Sequence, residues 1–260
     1  MLNIGMGLAK QVVDVTRCAG TDIMKIYETN FAVESKADNS PVTLADQAAE
    51  DLILSAMRED ISGGFPIVSE EAASAGHIPT VAATPFWLVD PLDGTKEFIN
   101  RNGEFTVNIA LIENTRPILG VVHLPAQGVT YFGFNMGAFR LQGDAPREEI
   151  SCRPPPAGGL TALVSRSHKT PEVDAYLKDF TITQEVSAGS SLKFCKVAEG
   201  AADIYPRMGR TMEWDTAAGH AVLRFAGGVV QKLDGIELGY GKEGFENPHF
   251  IAAGKGVLGA

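Results

Sequence analysis

The amino-acid sequence predicts a mixed α+β and α/β fold, with a mostly antiparallel sheet in the first half and helices alternating with strands in the second. Two early segments, 3–28 and 46–58, repeat their apolar residues at helical spacing. Short apolar runs bounded by Gly, Pro or acidic residues then indicate strands. Beyond residue 160, predicted strands and helices alternate, which is typical of α/β layering.

The two early segments have the features of amphipathic helices. In the first, Ile4, Leu8 and Val12 begin an apolar face. At the start of the second, Thr43 and Asp46 have the spacing of a helix cap with a carboxylate in the first turn. We therefore expect both helices to pack against a core.

The strand-like runs define the sheet of the first half. They are 65–68, 86–89, 105–112, 121–124 and 129–134. A turn that contains Pro, Gln and Gly separates the last two runs, as in a hairpin. Their short length and close spacing predict a mostly antiparallel sheet.

The clearest break in composition lies at 151–159, where consecutive prolines and paired glycines cannot continue regular structure. We place a boundary there between an N-terminal subdomain, 1–150, and a C-terminal subdomain, 151–260. The second subdomain is predicted to contain a strand at 161–165 and helices at 171–180, 192–199 and 215–225.

Composition limits the classes of function. The chain has 260 residues, of which 45% are hydrophobic and 21% are charged, so it is long enough to bury a substantial core. Its net charge of −10 and its lack of a long Lys/Arg run argue against a nucleic-acid polymer as partner. An acidic protein that acts on an anionic substrate needs local positive charge, which bound divalent cations usually supply.

Cysteine usage and hydropathy bear on location. Cys18, Cys152 and Cys195 are widely spaced and have no Cys or His neighbour at metal-ligand spacing, so we expect neither a disulfide framework nor a zinc site. The sequence shows no secretory leader pattern and no apolar stretch of about 20 residues, so no membrane span is predicted. These features favour the cytoplasm. A peripheral position at the inner membrane and a homodimeric assembly stay open.

Two carboxylates follow the apolar run at 86–89. Asp90 and Asp93 stand three residues apart, with Pro91 between them and Gly94 after them to force a tight turn. Carboxylates held this closely repel each other unless a cation lies between them. A surface Asp-Gly turn is the structural alternative.

Two further acidic segments suit the same site. Glu70 and Glu71 follow another short apolar run, and adjacent strands can deliver their acids to one place. Asp215 stands at the start of a predicted helix, where it serves either as an ordinary helix cap or as a ligand to a second metal. Hard oxygen ligands without His or Cys suit Mg²⁺ rather than zinc.

Part of the central motif also matches the Asp-x-Asp-x-Thr signature of phosphatases that form an aspartyl-phosphate. That chemistry requires a nucleophilic aspartate at the position of Pro91. The proline removes the nucleophile, so attack by an activated water is the better hypothesis.

The acidic segments together resemble the inositol monophosphatase superfamily of lithium-sensitive, magnesium-dependent phosphatases. They are Ser69-Glu70-Glu71, Asp90-Pro91-Leu92-Asp93-Gly94-Thr95 and Glu213-Trp214-Asp215. More narrowly, 87–112, supported by 38–43, 165–168 and 189–194, resembles the 3'(2'),5'-bisphosphate nucleotidases of the CysQ type. Together these segments span nearly the whole chain. Lys96-Glu97 departs from the Thr-Asn-Phe continuation that is usual in inositol monophosphatases.

The resemblance implies a layered αβαβα sandwich of the inositol monophosphatase and fructose-1,6-bisphosphatase type, with two or three Mg²⁺ ions. It implies that Thr95, oriented by Asp46, activates the attacking water. The implied metal ligands are Glu70, Asp90, the carbonyl of Leu92, Asp93 and Asp215. The implied substrate-binding residues are Gly94, Thr95, Ser165, His168, Ser190, Lys193 and Asp215. From the residues alone, Lys193 suits a solvated helix position equally well, and His168 suits an ordinary loop.

The function implied by the resemblance is hydrolysis of a small phosphate monoester, namely adenosine 3',5'-bisphosphate to AMP and phosphate, in sulfur assimilation. The same chemistry on inositol, histidinol or fructose phosphates is the alternative. A non-catalytic, metal-binding regulatory module with the same fold is a second alternative, against which the intact acids and Thr95 argue.

Overall fold

A computed structural model of the chain describes residues 2–35, 41–61, 63–81, 84–166 and 170–258. The α-helices in these ranges are α1 (Met6–Tyr27), α2 (Leu44–Ala56), α3 (Glu70–Ser74), α4 (Thr95–Ile99), α5 (Pro171–Leu177), α6 (Leu192–Ala198) and α7 (Ala217–Phe225). The strands are β1 (Val33–Ser35), β2 (Pro41–Thr43), β3 (Ile67–Ser69), β4 (Phe86–Asp93), β5 (Thr106–Glu113), β6 (Arg116–Leu124), β7 (Val129–Phe134), β8 (Gly137–Gln142), β9 (Glu148–Ile150), β10 (Leu160–Ser165), β11 (Ile182–Ala188), β12 (Ile204–Arg207), β13 (Val229–Lys232) and β14 (Phe250–Ala253).

The larger sheet has seven strands in the order β3-β4-β5-β6-β7-β8-β9. Only β3 and β4 pair in parallel, and every later neighbour is antiparallel. This confirms the mostly antiparallel sheet expected for the first half. The parallel pair matters for function, because parallel strands end at the same edge of a sheet.

The smaller sheet has five strands in the order β11-β10-β12-β14-β13. Among these strands, β10 alone was predicted from the sequence. The reason is physical: β11 lies at the edge with mostly exposed polar side chains, and β12 is four residues long and contains Pro206. Neither segment has the apolar alternation by which strands are recognised.

Helices and sheets stack in five layers. Helices α1 and α2 pack on one face of the seven-stranded sheet, and α7 packs on its other face. Helix α6 contacts both α7 and the smaller sheet, while α5 packs against β12. This arrangement confirms the predicted αβαβα sandwich.

Close packing of α7 on the larger sheet depends on two glycines. A Cβ atom at Gly133 would lie 2.8 Å from the Cα of Val222, and one at Gly120 would collide with the backbone at Ala218. Larger residues at either position would push α7 away from the sheet. The start of α7, which follows Asp215, is thereby held at a fixed depth.

The two sheets use separate parts of the sequence. The seven-stranded sheet ends at Ile150, and the five-stranded sheet begins at Leu160. However, α7 belongs to the second half of the chain and packs on the first sheet. The boundary at 151–159 remains a prediction about folding units.

Two other sequence expectations concern membranes and cysteines. Among the described ranges, no helix combines the length and the apolarity that crossing a bilayer requires. All three cysteines are free, and Cys195 is buried in the core.

Two buried histidines make stability depend on pH. Burial lowers the pKa of His220 to about 3 and that of His123 to about 4, from an ordinary value of 6.5. Both rings stay neutral in the folded chain and take up a proton on unfolding below pH 6.5. Their contribution to the free energy of unfolding is therefore complete above that pH and falls as the pH drops, by about 1.4 kcal/mol per pH unit for each ring.

The variant His220→Gln should therefore flatten this dependence. Between neutral pH and about pH 4.5, the slope of the urea-derived free energy of unfolding should decrease by roughly 1.4 kcal/mol per pH unit. The exposed His77 provides the control, because His77→Gln should leave the slope unchanged. A wild-type slope in His220→Gln would contradict the assignment.

Candidate active site

The parallel pairing of β3 with β4 brings two acidic segments to one edge of the larger sheet. Ser69 at the end of β3 lies opposite Val89 of β4, so Glu70, which begins α3, and Asp90 of β4 directly follow this last pair. Asp215 reaches the same place from the segment before α7. Carboxylate oxygens of Glu70, Asp90 and Asp215 lie within 4.8 Å of one another.

The central motif continues β4 rather than ending it, because β4 extends to Asp93. Its pairing with β5 is irregular between Asp90 and Asp93, and the Leu92 amide donates to Asp90 Oδ1 at 3.0 Å. Gly94 has a φ of +91°, and a Cβ atom there would collide with the Ser190 hydroxyl. Glycine at 94 therefore allows both the turn and the close approach of the second half of the chain.

Asp93 is oriented differently from the other three acids. Its Oδ2 accepts the Ser191 amide at 2.7 Å, with Thr106 Oγ1 at 3.3 Å and Asn108 Nδ2 at 3.4 Å. Its backbone carbonyl accepts the Ser190 hydroxyl at 2.8 Å. Asp93 is thus fastened to the segment that begins α6, beside the three-acid group.

Asp215 does not cap a helix, so that alternative is wrong. Helix α7 begins at Ala217 after Thr216, and the Asp215 carboxylate instead accepts the Met212 amide at 2.9 Å. Its carbonyl accepts the Ser191 hydroxyl at 2.6 Å. Ser191 therefore joins Asp93 and Asp215, which come from different halves of the chain.

The charges of the cluster fit a bound divalent cation. Burial raises the pKa of Asp215 well above its ordinary value, with further upward shifts from the charges of Asp93 and Glu70. Burial also raises the pKa of Asp93 to about 6, although the charge of Lys193 opposes the shift. Buried carboxylates that lie this close destabilise one another's ionised forms, and a cation bound among them removes that repulsion. A set of ligands made only of oxygen atoms suits Mg²⁺.

Asp46 connects the helix cap to the site. Its Oδ2 accepts the Thr43 amide and the Thr43 hydroxyl, both at 2.8 Å, which confirms the predicted capping box of α2. Its Oδ1 accepts the Thr95 hydroxyl at 3.2 Å. The cap thus holds a buried carboxylate against the first residue of α4.

A cavity of about 250 Å³ lies over these acids, a scale that suits a small molecule rather than a polymer. The predicted site residues that line it are Glu70, Asp90, Leu92, Asp93, Gly94, Thr95, Ser165, Ser190, Lys193 and Asp215. Asp46 lies behind this wall and reaches it through Thr95. His168 lies outside the described residues.

Lys193 is not a solvated helix residue. Its side chain lines the cavity but is only 4% exposed, and its Nζ donates to Ser190 O at 2.8 Å and Ala188 O at 3.2 Å. The ammonium also lies 5.2 Å from the centroid of the Tyr205 ring. Burial lowers the pKa of Lys193 to about 8, with the Asp93 charge opposing the shift.

Sequence analysis missed Arg207, a second buried cation on the cavity wall. It is 8% exposed, its Nη2 donates to Arg210 O at 2.8 Å, and its Nε has no hydrogen-bond partner among the described residues. Such a donor is costly to bury unless an acceptor reaches it. The only signal in the sequence was the two-residue spacing of Tyr205 and Arg207, which share the cavity face of a short strand.

Comparison with known proteins agrees with the fold. Residues 8–258 match the Inositol monophosphatase family, and the chain belongs to this family. It is accordingly a phosphoric monoester hydrolase.

Several relatives carry a more specific name. The 3'(2'),5'-bisphosphate nucleotidase CysQ of Escherichia coli K12 is 46% identical over 246 residues, which cover 92% of this chain and 97% of that protein. The protein of the same name from Haemophilus influenzae is 33% identical over 257 residues, which cover 98% of this chain and 95% of that protein.

Solved structures show the same architecture. CysQ from Bacteroides thetaiotaomicron superposes with a TM-score of 0.79 at 40% identity and covers 95% of this chain and 97% of its own. An inositol monophosphatase of Thermotoga maritima superposes with a TM-score of 0.75 at 24% identity, and the superposition covers 93% of this chain and 89% of that protein. At that identity the second likeness supports the fold alone.

Proposed function

We propose that the chain removes the 3'- or 2'-phosphate of 3'(2'),5'-bisphosphate nucleotides, and converts adenosine 3',5'-bisphosphate to AMP and phosphate. One feature of the cavity carries this proposal. The four acids Glu70, Asp90, Asp93 and Asp215 line the same small cavity as two buried cations, Lys193 and Arg207. A bisphosphate has two anionic groups, of which one suits the metal-binding acids and the other suits the cations. The names of the nucleotidase relatives point to the same substrate class.

The acids are proposed to hold two or three Mg²⁺ ions. The proposed ligands are the carboxylates of Glu70, Asp90, Asp93 and Asp215 and the carbonyl of Leu92. When bound, the ions supply a lowered pKa for the attacking water and neutralise charge on the phosphoryl oxygens.

Thr95 and Asp46 are proposed to orient the attacking water and receive its proton. Because the Thr95 hydroxyl donates to Asp46 Oδ1, its oxygen is left to accept a hydrogen bond from a water in the cavity. The water oxygen then forms a bond to phosphorus while the bond between phosphorus and the ribose oxygen breaks. The proton lost by the water moves toward Asp46 through Thr95, and the ribose oxygen leaves as a hydroxyl after taking a proton from a second water in the cavity.

A substrate panel tests the proposal. The chain should show its highest kcat/KM on adenosine 3',5'-bisphosphate, compared with inositol 1-phosphate, histidinol phosphate and fructose 1,6-bisphosphate. The activity should require Mg²⁺ and should fall on addition of lithium. A marked preference for inositol 1-phosphate would overturn the nucleotidase assignment, and absence of any hydrolysis with Mg²⁺ would favour a regulatory module.

Lys193→Ala should shift substrate preference. We expect kcat/KM to fall about tenfold more for adenosine 3',5'-bisphosphate than for adenosine 3'-monophosphate, because hydrogen bonds to charged groups contribute about 1.5–3 kcal/mol. Arg207→Leu should have the same selective effect without removing the bonds that Lys193 makes to its own backbone segment. The control is Lys196→Ala, which removes another cation of the same helix. Lys196 forms an ion pair with Glu199. Equal losses on both substrates would exclude Lys193 from recognition of the second phosphate.

A further inference from the structure

A second buried carboxylate lies on α2, one turn after Asp46. Glu50 is only 4% exposed. Its Oε1 accepts a short hydrogen bond from the Ser69 hydroxyl and another from the Ala72 amide at 3.1 Å. These two donors flank Glu70 along the chain. Glu50 therefore holds the segment that presents Glu70 to the acidic cluster, from the side of α2.

The segment that carries Glu70 is short and lies at the edge of the sheet. Strand β3 has three residues and pairs only with β4, and α3 has five residues. A helix of this length is not stable by itself, so its position depends on tertiary contacts. By comparison, Asp90 lies within the eight-residue strand β4, which pairs on both sides. The position of Glu70 thus depends more on tertiary contacts than that of Asp90 does.

The Ser69 side chain also indicates that Glu50 holds the segment that carries Glu70. Ser69 directly precedes α3, where a serine commonly caps the first turn with its own hydroxyl oxygen. Here the hydroxyl makes no cap of that kind and donates instead to Glu50, while Glu50 accepts the Ala72 amide in the first turn of α3. A carboxylate from another helix has taken over the capping role.

Helix α2 thereby reaches two parts of the site. Asp46 and Glu50 are four residues apart and lie on the same side of the helix, both buried. Asp46 accepts a hydrogen bond from Thr95, and Glu50 accepts one from Ser69, just before Glu70, and one from Ala72, two residues after it. We propose that Glu50 is a positioning residue for the Glu70 carboxylate, so that a single helix orients both Thr95 and a metal ligand. This inference rests on the proposed metal site.

Direct metal binding tests the role. Partners that orient metal ligands typically change metal affinity by about 10–100-fold when they are removed. We therefore expect Glu50→Ala to raise the Kd for Mn²⁺, followed by its EPR signal without substrate, at least about tenfold. The value of kcat at saturating Mg²⁺ should stay within about threefold of wild type, because the reacting groups themselves are kept.

Two variants separate positioning from general effects. Glu50→Gln keeps a carbonyl oxygen that can accept both hydrogen bonds, so its Kd should stay within about threefold of wild type. Asp51→Ala removes the same charge from the next position, which is exposed and receives a bond only from Gln47 in the described structure, so its Kd should be unchanged. If Glu50→Gln binds Mn²⁺ as weakly as Glu50→Ala, the hydrogen-bonding role is wrong.

The outcomes that overturn the inference are distinct from those that overturn the metal site. A wild-type chain that binds no Mn²⁺ would refute the proposed metal site and this inference with it. Tight binding by wild type together with an unchanged Kd in a folded Glu50→Ala would refute the inference alone. If Glu50→Ala does not fold, Ser69→Ala removes one of the two donors, and an unchanged Kd in that variant would refute the role of Glu50.

Discussion

Asp93→Asn is expected to lower kcat at saturating Mg²⁺ by at least about 100-fold. Oδ2 of the Asp93 carboxylate already accepts a hydrogen bond from the Ser191 amide at 2.7 Å. An asparagine can keep an oxygen on that amide only by turning its NH₂ group toward the cavity, where the metal is proposed to bind. The opposite orientation places two N–H donors against each other. The first arrangement removes a ligand oxygen, the second replaces a buried hydrogen bond with a clash between donors, and both remove one negative charge.

The measurement is steady-state hydrolysis of adenosine 3',5'-bisphosphate over a Mg²⁺ titration, together with Mn²⁺ binding by EPR. Asp144→Asn is the control, because Asp144 is exposed and pairs with Arg17 on the surface. The control should retain wild-type activity. Near wild-type activity of Asp93→Asn at saturating Mg²⁺ would exclude Asp93 as a metal ligand.

Thr95→Val should lower kcat by about 100-fold while the Kd for Mn²⁺ changes by less than about threefold. Valine has nearly the same shape as threonine, so the first turn of α4 and the cavity wall should be preserved. What it removes is the hydroxyl that donates to Asp46 Oδ1 at 3.2 Å. Without that hydroxyl, the attacking water loses its orienting acceptor and its route for a proton to Asp46.

Thr95→Ser is the matched control for this prediction. Serine keeps the hydroxyl, so its kcat should stay within about fivefold of wild type. Thr95→Ser should also unfold at the wild-type temperature, since it keeps the hydrogen bond to the buried Asp46. A Thr95→Val enzyme with wild-type kcat would show that the water is activated without Thr95.

Local patterns predicted the first half of the fold well. Helix α1 was expected over 3–28 and forms at Met6–Tyr27, and the capping box at Thr43 and Asp46 begins α2 as expected. Helical periodicity and capping are contained within a few neighbouring residues, so they can be read directly from the sequence. The antiparallel strands β5, β6 and β7 were likewise predicted, because short turns connect strands that are neighbours in the chain, whereas β8 and β9 were not predicted.

The smaller sheet was harder to predict, because its strands pair with distant segments. Strand β12 pairs with β10 in parallel and with β14 in the antiparallel sense, and neither partner is its neighbour in sequence. Its four residues include Pro206, which weakens any local strand signal. Arg207 was missed for the same reason, since its place in the cavity depends on that pairing.

The chemistry proposed for the candidate site was predicted largely from the sequence. Closely spaced acids without His or Cys partners predict an oxygen-ligated cation, and Pro91 removes the nucleophile that an aspartyl-phosphate route requires. These conclusions depend on residue type and short spacing, which the chain order preserves.

The tertiary structure decided how the acidic segments are held. It turns Asp93 toward Ser191, ties Asp215 to Met212 instead of a helix cap, and places Glu50 behind the segment that carries Glu70. Each of these contacts joins side chains or backbone groups whose directions are set by the packing of strands and helices. The amino-acid order specifies which polar groups are available. Their hydrogen-bond partners are set only when the layers pack together, because a buried polar group must form its hydrogen bond with a group that the fold brings near it.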